Sequence, residues 1–138
     1  MKTIDGDLLH VIEGCLVHQV NCQRVAGAGL ALAIRNMYPA WYEHFIKVPP
    51  HMGDIDLFWV NPRLCIASLF AQNRYGRVGV FTDYAAFDCC LGSLKLQTFG
   101  VKVYFPHGIG CGLAGGDWDL IESKIAYHFP NAVIVKKS

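Results

Sequence analysis

The segment Val103-Tyr-Phe-Pro-His-Gly-Ile-Gly-Cys-Gly-Leu-Ala-Gly-Gly-Asp-Trp118 constrains this chain more than any other. An apolar run that reads as a strand opens into a loop, and a helical pattern follows at once. Five glycines (Gly108, Gly110, Gly112, Gly115 and Gly116) fall within nine residues, none of them charged. Such a loop has few side chains to pack but many main-chain N–H groups that a ligand can approach closely. Where a glycine loop feeds a helix N-terminus, unpaired N–H groups and the helix dipole both favour an anion. The expected ligand is a phosphorylated small molecule held by backbone.

The rest of the composition narrows the class. At 138 residues the chain is read as one domain, residues 1–138, long enough to bury roughly two thirds of its unfolded surface. A 53% hydrophobic, 17% charged composition fits a filled globule and argues against disorder. The net charge is +1 and the longest basic run is Lys136-Lys137, so a footprint for duplex nucleic acid is missing. The N-terminal residues lack the apolar core of a signal peptide, and no run approaches the ~18 apolar residues of a membrane span. A cytoplasmic protein is expected, with no membrane partner. Six scattered cysteines include no C-x-x-C pair. Reduced thiols are expected, with neither a structural metal nor a cofactor.

Along the chain, Cys15–Val20 reads as a buried strand ending at Asn21. Leu30, Ala33, Ile34, Met37 and Trp41 follow at helical spacing, and Pro39 is expected to divide that stretch into two short helices. Pro49, Pro50 and Gly53 mark a surface loop. Leu57–Val60 and Leu64–Phe70 read as strands around an Asn61-Pro62 turn. Thr82 is read as the N-cap of a long helix carrying Tyr84, Phe87, Leu91 and Leu94 on one face. Val101–Phe105 is a strand, Trp118, Ile121, Ile125 and Phe129 mark a last helix, and Ala132–Val135 a last strand. Alternating strands and helices imply an α/β layer structure on a mixed, largely parallel sheet.

Ligands in such sheets bind beyond the C-terminal ends of the strands. Two segments are expected to meet there, Asn21–Gly29 after the early strand and His107–Asp117 after the late one. Gly110-x-Gly112-x-x-Gly115 also matches the dinucleotide-binding fingerprint. That motif needs an acidic residue about 20 positions on, at the end of a following strand. Here the neighbourhood holds Pro130, Asn131, Lys136 and Lys137, and only one strand remains, so redox dinucleotide binding is rejected.

Three segments read together resemble the macrodomain family: Gly6-Asp7-Leu8-Leu9, then His18-Gln-Val-Asn-Cys-Gln-Arg-Val-Ala-Gly-Ala-Gly-Leu-Ala31, then Gly108-Ile-Gly-Cys-Gly-Leu113. The resemblance runs from about residue 3 to residue 135. It is nearest to the short stand-alone type of bacteria and phages, similar to the yeast-type ADP-ribose 1″-phosphate phosphatase. It implies a three-layer α/β/α sandwich that binds ADP-ribose or a phosphorylated or acylated derivative. Within it, Asp7 and Leu8 correspond to the adenine contact, and Asn21, Ala26, Gly27 and Gly29 to the loop over the distal ribose. Gly108, Gly110, Cys111, Gly112 and Leu113 correspond to the diphosphate loop, and Tyr75 to a cap over the distal ribose. His18 matches a catalytic histidine of the phosphatase type, and Asn21 and His107 join it as catalytic candidates.

The chain also departs from that family. Related glycohydrolases use a lysine where this chain has Gln72, and an aspartate directly after Gly-Cys-Gly-Leu where it has Ala114. The implied reaction is hydrolysis of the phosphomonoester of ADP-ribose 1″-phosphate. The alternatives are a non-catalytic ADP-ribose binder, a hydrolase of ADP-ribosylated protein or nucleic acid, or an O-acetyl-ADP-ribose deacetylase. The residues carry plainer readings as well. His18 lies in an apolar run and reads equally as a buried structural histidine. Asp117 reads first as a helix N-cap, and Cys111 as a small loop residue rather than a nucleophile.

Overall fold

The runs at residues 15–20 and 64–70 are apolar except at His18, Gln19 and Ser68 and do not alternate, the mark of strands covered on both faces. The computed structural model, which describes residues 1–74, 79–112 and 114–137, places both at the centre of the sheet. In chain order the strands are β1 (Lys2–Asp5), β2 (Gly14–Asn21), β3 (Ile55–Asn61), β4 (Leu64–Gln72), β5 (Val103–Pro106) and β6 (Val133–Lys136). Among the described residues they form one sheet in the order β1-β6-β5-β2-β4-β3. Only β3 runs antiparallel to its neighbour. It is joined to β4 by the expected turn, where Asn61 Oδ1 accepts from the N–H groups of Arg63 and Leu64.

Alternation along β2 and β4 divides the core into two layers. Cys15, Val17, Cys65, Ala67 and Leu69 face α3 (Tyr84–Gln97) and α4 (Trp118–His128), meeting Phe87, Leu91, Leu94, Ile121 and Ile125. Leu16, Val20, Leu64, Ile66 and Phe70 face α1 (Gly29–Met37) and α2 (Pro39–Phe45), meeting Ile34, Trp41 and Phe45. The result is an α/β/α sandwich. Pro39 takes the first turn of α2, where its missing N–H is harmless, and Tyr38 both ends α1 and caps α2. No helix among the described residues is long and apolar enough to cross a membrane.

Three local expectations change. Asp83, not Thr82, caps α3, its carboxylate accepting from the Ala86 N–H at 2.9 Å. Thr82 instead bridges to Gln72 and turns its hydroxyl toward Gly110. The strand expected from Val101 begins at Val103, and an edge strand, β1, precedes everything the apolar pattern signalled.

Candidate functional site

The parallel strands β2, β4 and β5 end together at one edge, and a cleft of about 540 Å³ opens there. Asn21, Gln72 and Pro106, each at the end of its strand, line it, and the two glycine loops form its sides. Gly27, Ala28, Gly29, Leu30 and Ala31 stand on one side, and His107, Gly108, Gly110, Gly112 and Ala114 on the other. Among the described lining residues there is no Lys, Arg, Asp or Glu. The described lining offers an anion main-chain dipoles and the rings of His18 and His107.

The loop after β5 is ordered by its own carbonyls. The oxygen of Pro106 accepts from Ile109 N–H, that of Gly108 from Cys111, and that of Gly112 from Gly115. Gly110 O receives both the Gly116 N–H at 2.8 Å and the Thr82 hydroxyl at 2.7 Å. Ala114 O receives the N–H groups of Phe81 and Thr82. Every second carbonyl is thus engaged. The N–H groups of those same alternate residues, Gly108, Gly110, Gly112 and Ala114, have no partner among the described residues. Alternate residues whose carbonyls are engaged while their own N–H groups have no described partner offer an anion local dipoles without a formal charge.

Glycine at 110 is dictated twice. Its φ is +75°, and a Cβ there would lie 2.8 Å from Gln19 Oε1 and 3.1 Å from Thr82 Oγ1. Gln19 holds the belt beneath the loop. Its Nε2 donates to Gln72 Oε1 and to Thr82 Oγ1, both at 2.9 Å, and Gln72 Nε2 donates to Arg74 O. Gln72 thereby ties the ends of β2 and β4 to the loop.

On the opposite side, the first turn of α1 faces the cleft. Ala28 is its N-cap and supplies no side-chain hydrogen bond, and the N–H groups of that turn have no partner among the described residues. The approach to α1 is shaped by Asn21, which is 6% exposed. Its Nδ2 donates to Val25 O at 2.9 Å and its Oδ1 accepts from Val25 N–H at 3.1 Å. That brace spans Arg24, whose φ is +58°. Asn21 retains one N–H and one lone pair for a ligand.

His18 lies on the cleft wall but is only 1% exposed. Its Nε2 sits 2.9 Å from Ser68 Oγ, and its ring meets Trp41 edge-on at 5.0 Å. Burial pushes its pKa down to about 3, so the ring is neutral at physiological pH. His107 is exposed, with its ring 4.6 Å from that of Trp118. Burial raises the Cys111 thiol, and the Asp117 charge raises it further, which disfavours the thiolate. Asp117 caps α4, accepting from Asp119 N–H at 2.9 Å.

The remaining sequence candidates lie elsewhere. Asp7 caps a single 3-10 turn, Leu8–His10, at the same sheet edge but outside the cleft lining. The Leu9 N–H, foremost, and Lys137 hold its carboxyl below the ordinary range. Leu8 and Ala26 are core residues rather than cleft residues. Tyr75 and Leu113 fall outside the described residues. Gln19, Val25, Ala28, Leu30, Ala31 and Ile109 line the cleft without having been singled out. Most are apolar loop or helix-end residues whose N–H groups carry no signature in side-chain chemistry.

No protein-family model matches the chain. Over 62 residues it is 36% identical to an ADP-ribose 1″-phosphate phosphatase of Aspergillus fumigatus, a match covering 39% of this chain and 31% of that protein. The chain thus spans about a third of the curated relative's length. The macrodomain of Mycobacterium tuberculosis DarG superposes with a TM-score of 0.81 at 24% identity, covering 99% of this chain and 97% of that one. Thermosipho africanus DarTG, solved in complex with ADP-ribose, superposes with a TM-score of 0.77 at 18% identity over 96% of this chain and 40% of that one.

Proposed function

This chain has the macrodomain fold, and we propose from that premise that its cleft binds ADP-ribose and hydrolyses the phosphomonoester of ADP-ribose 1″-phosphate. The observation that carries the reading is the row of N–H groups at Gly108, Gly110, Gly112 and Ala114 that have no partner among the described residues. They would hold the diphosphate, each charge-assisted bond contributing about 1.5–3 kcal/mol. Asn21, Gly27 and Gly29 would enclose the distal ribose, and the adenine would run toward Asp7 at the same sheet edge. The cleft volume falls within the range typical of small-molecule sites, about 300–1,000 Å³.

Hydrolysis requires water to attack phosphorus while the phosphorus–sugar oxygen bond breaks and that oxygen takes a proton. Of the two histidines on the cleft wall, His107 is exposed to solvent, whereas buried His18 is neutral. His107 is accordingly the proposed proton carrier, and His18 and Asn21 are proposed to hold the substrate.

Incubation with ADP-ribose 1″-phosphate should release inorganic phosphate, and His107→Ala should abolish most of that release. Full release by His107→Ala would refute its role. A second reading, binding without turnover, is favoured by the buried, neutral His18 and the raised Cys111 thiol. It predicts calorimetric heat with ADP-ribose and no phosphate release by the parent protein.

A further inference from the structure

Behind the cleft wall, three side chains from three elements converge. Trp41 of α2 places its indole N–H 3.2 Å from Ser68 Oγ of β4, and Ser68 Oγ lies 2.9 Å from His18 Nε2 of β2. Trp41 and Ser68 have no solvent exposure, and His18 has 1%. An indole nitrogen only donates, so Ser68 Oγ accepts from Trp41. The Ser68 hydroxyl must then place its own proton. Among the described residues, the one acceptor within reach is His18 Nε2. The alternative, an Nε2–H donating to Ser68, would leave two buried groups unpaired, the Ser68 hydroxyl proton and the Nδ1 lone pair, whereas the first arrangement leaves only the Nδ1–H.

The arrangement with fewer unpaired buried groups sets the direction of the chain. Trp41 N–H donates to Ser68 Oγ, and Ser68 O–H donates to His18 Nε2. The ring proton of neutral His18 is left on Nδ1. That atom is buried and has no partner among the described residues; its ring belongs to the cleft wall, so a ligand oxygen reaches it only as that wall yields.

We propose that Trp41 and Ser68 are positioning residues that lock His18 in the Nδ1–H tautomer, so that it presents a neutral hydrogen-bond donor to an oxygen of the bound ligand. The second half rests on the reading given under Proposed function; the tautomer itself does not. A neutral donor suits a cleft whose described lining has no Lys, Arg, Asp or Glu, because it can grip a sugar or phosphoryl oxygen without a buried cation. It also assigns His18 to binding rather than to proton transfer.

The test is a long-range proton–nitrogen NMR spectrum of the full chain, read at the His18 ring with and without ADP-ribose. The expected result is a protonated Nδ1 and a bare Nε2, unchanged from about pH 7 to about pH 5. ADP-ribose should shift Nδ1 more than Nε2. A proton on Nε2, or on both nitrogens, would overturn the relay. An unmoved Nδ1 while calorimetry shows ADP-ribose bound would overturn the contact but leave the binding reading intact. Absence of calorimetric binding would remove the ligand contact together with that reading, while the tautomer would still be decided by the ligand-free spectrum. Ser68→Ala should give mixed tautomers and about tenfold weaker ADP-ribose binding, the size of one lost hydrogen bond. An unchanged tautomer in that variant would refute the relay. Should Ser68→Ala fail to fold, Trp41→Phe serves instead, with a smaller drift toward Nε2–H expected and none refuting the part given to Trp41.

Discussion

Acidification should destabilise this protein through His18 in a way that can be isolated. In the unfolded chain the ring titrates near its ordinary value of 6.5; in the folded chain burial alone holds it at about 3. Its nearest polar neighbours, Ser68 and Trp41, are neutral, so no counter-charge softens the cost of protonation. The unfolded state thus binds the proton more readily. The stability due to neutral His18 is complete above pH 6.5 and is lost as pH falls toward 3. With ~1.36 kcal/mol per pH unit, the loss is about 2 kcal/mol at about pH 5 and approaches about 5 kcal/mol below the folded pKa. Against a typical total of about 5–15 kcal/mol, that is a large fraction.

Urea denaturation at about pH 7.5 and about pH 5 measures it, the effect amounting to roughly 1 M in midpoint. Carboxylates and the other histidines contribute to the raw difference, so the comparison is with His18→Phe, which removes only this titration. The parent should lose about 2 kcal/mol more than the variant over that interval. Equal losses in both proteins would refute the claim that His18 is buried and neutral in the native state.

Other outcomes follow from the same geometry. Gly110→Ala forces a left-handed φ on a residue with a Cβ and pushes it into Gln19. It should cost about 1–3 kcal/mol in thermal or urea unfolding and weaken ADP-ribose binding by calorimetry. Asn21→Asp keeps the bond from Val25 N–H but turns a carboxylate toward Val25 O and adds a negative charge to the cleft; ADP-ribose binding should fall at least about tenfold. Asp117→Ala removes the α4 cap and should cost about 1 kcal/mol of stability, with phosphate release unchanged.

The sequence revealed the central strands because burial on both faces leaves runs such as Leu64–Phe70 apolar at every position but Ser68. It concealed β1 because Lys2–Asp5 is a four-residue edge strand, exposed throughout, whose place is set by pairing with β6 rather than by its side chains. The last helix was legible down to its cap, since Asp117 precedes Trp118 and the apolar spacing. The α3 cap was misread by one residue because Thr82 and Asp83 both qualify chemically. What decides between them is Gly110 O, more than twenty residues away in sequence, which takes the Thr82 hydroxyl.

The same divide runs through the site. Glycines announce both loops, and strand order brings them together. Which carbonyls are engaged, and so which N–H groups remain free, depends on partners such as Phe81 and Gly116 that no local motif specifies. His18 illustrates the limit most clearly. Its position in an apolar run signals burial, but its tautomer depends on Ser68, fifty residues on, and on Trp41 from the opposite layer.

The central claim is that main-chain N–H groups, without cationic side chains, grip the diphosphate. Calorimetric titration with ADP-ribose at low and high salt tests it most directly. A dipolar grip in an uncharged cleft should give one-to-one heat, with affinity changing less than about threefold between about 50 and 500 mM salt. No heat, or an affinity that collapses as salt is added, would contradict it.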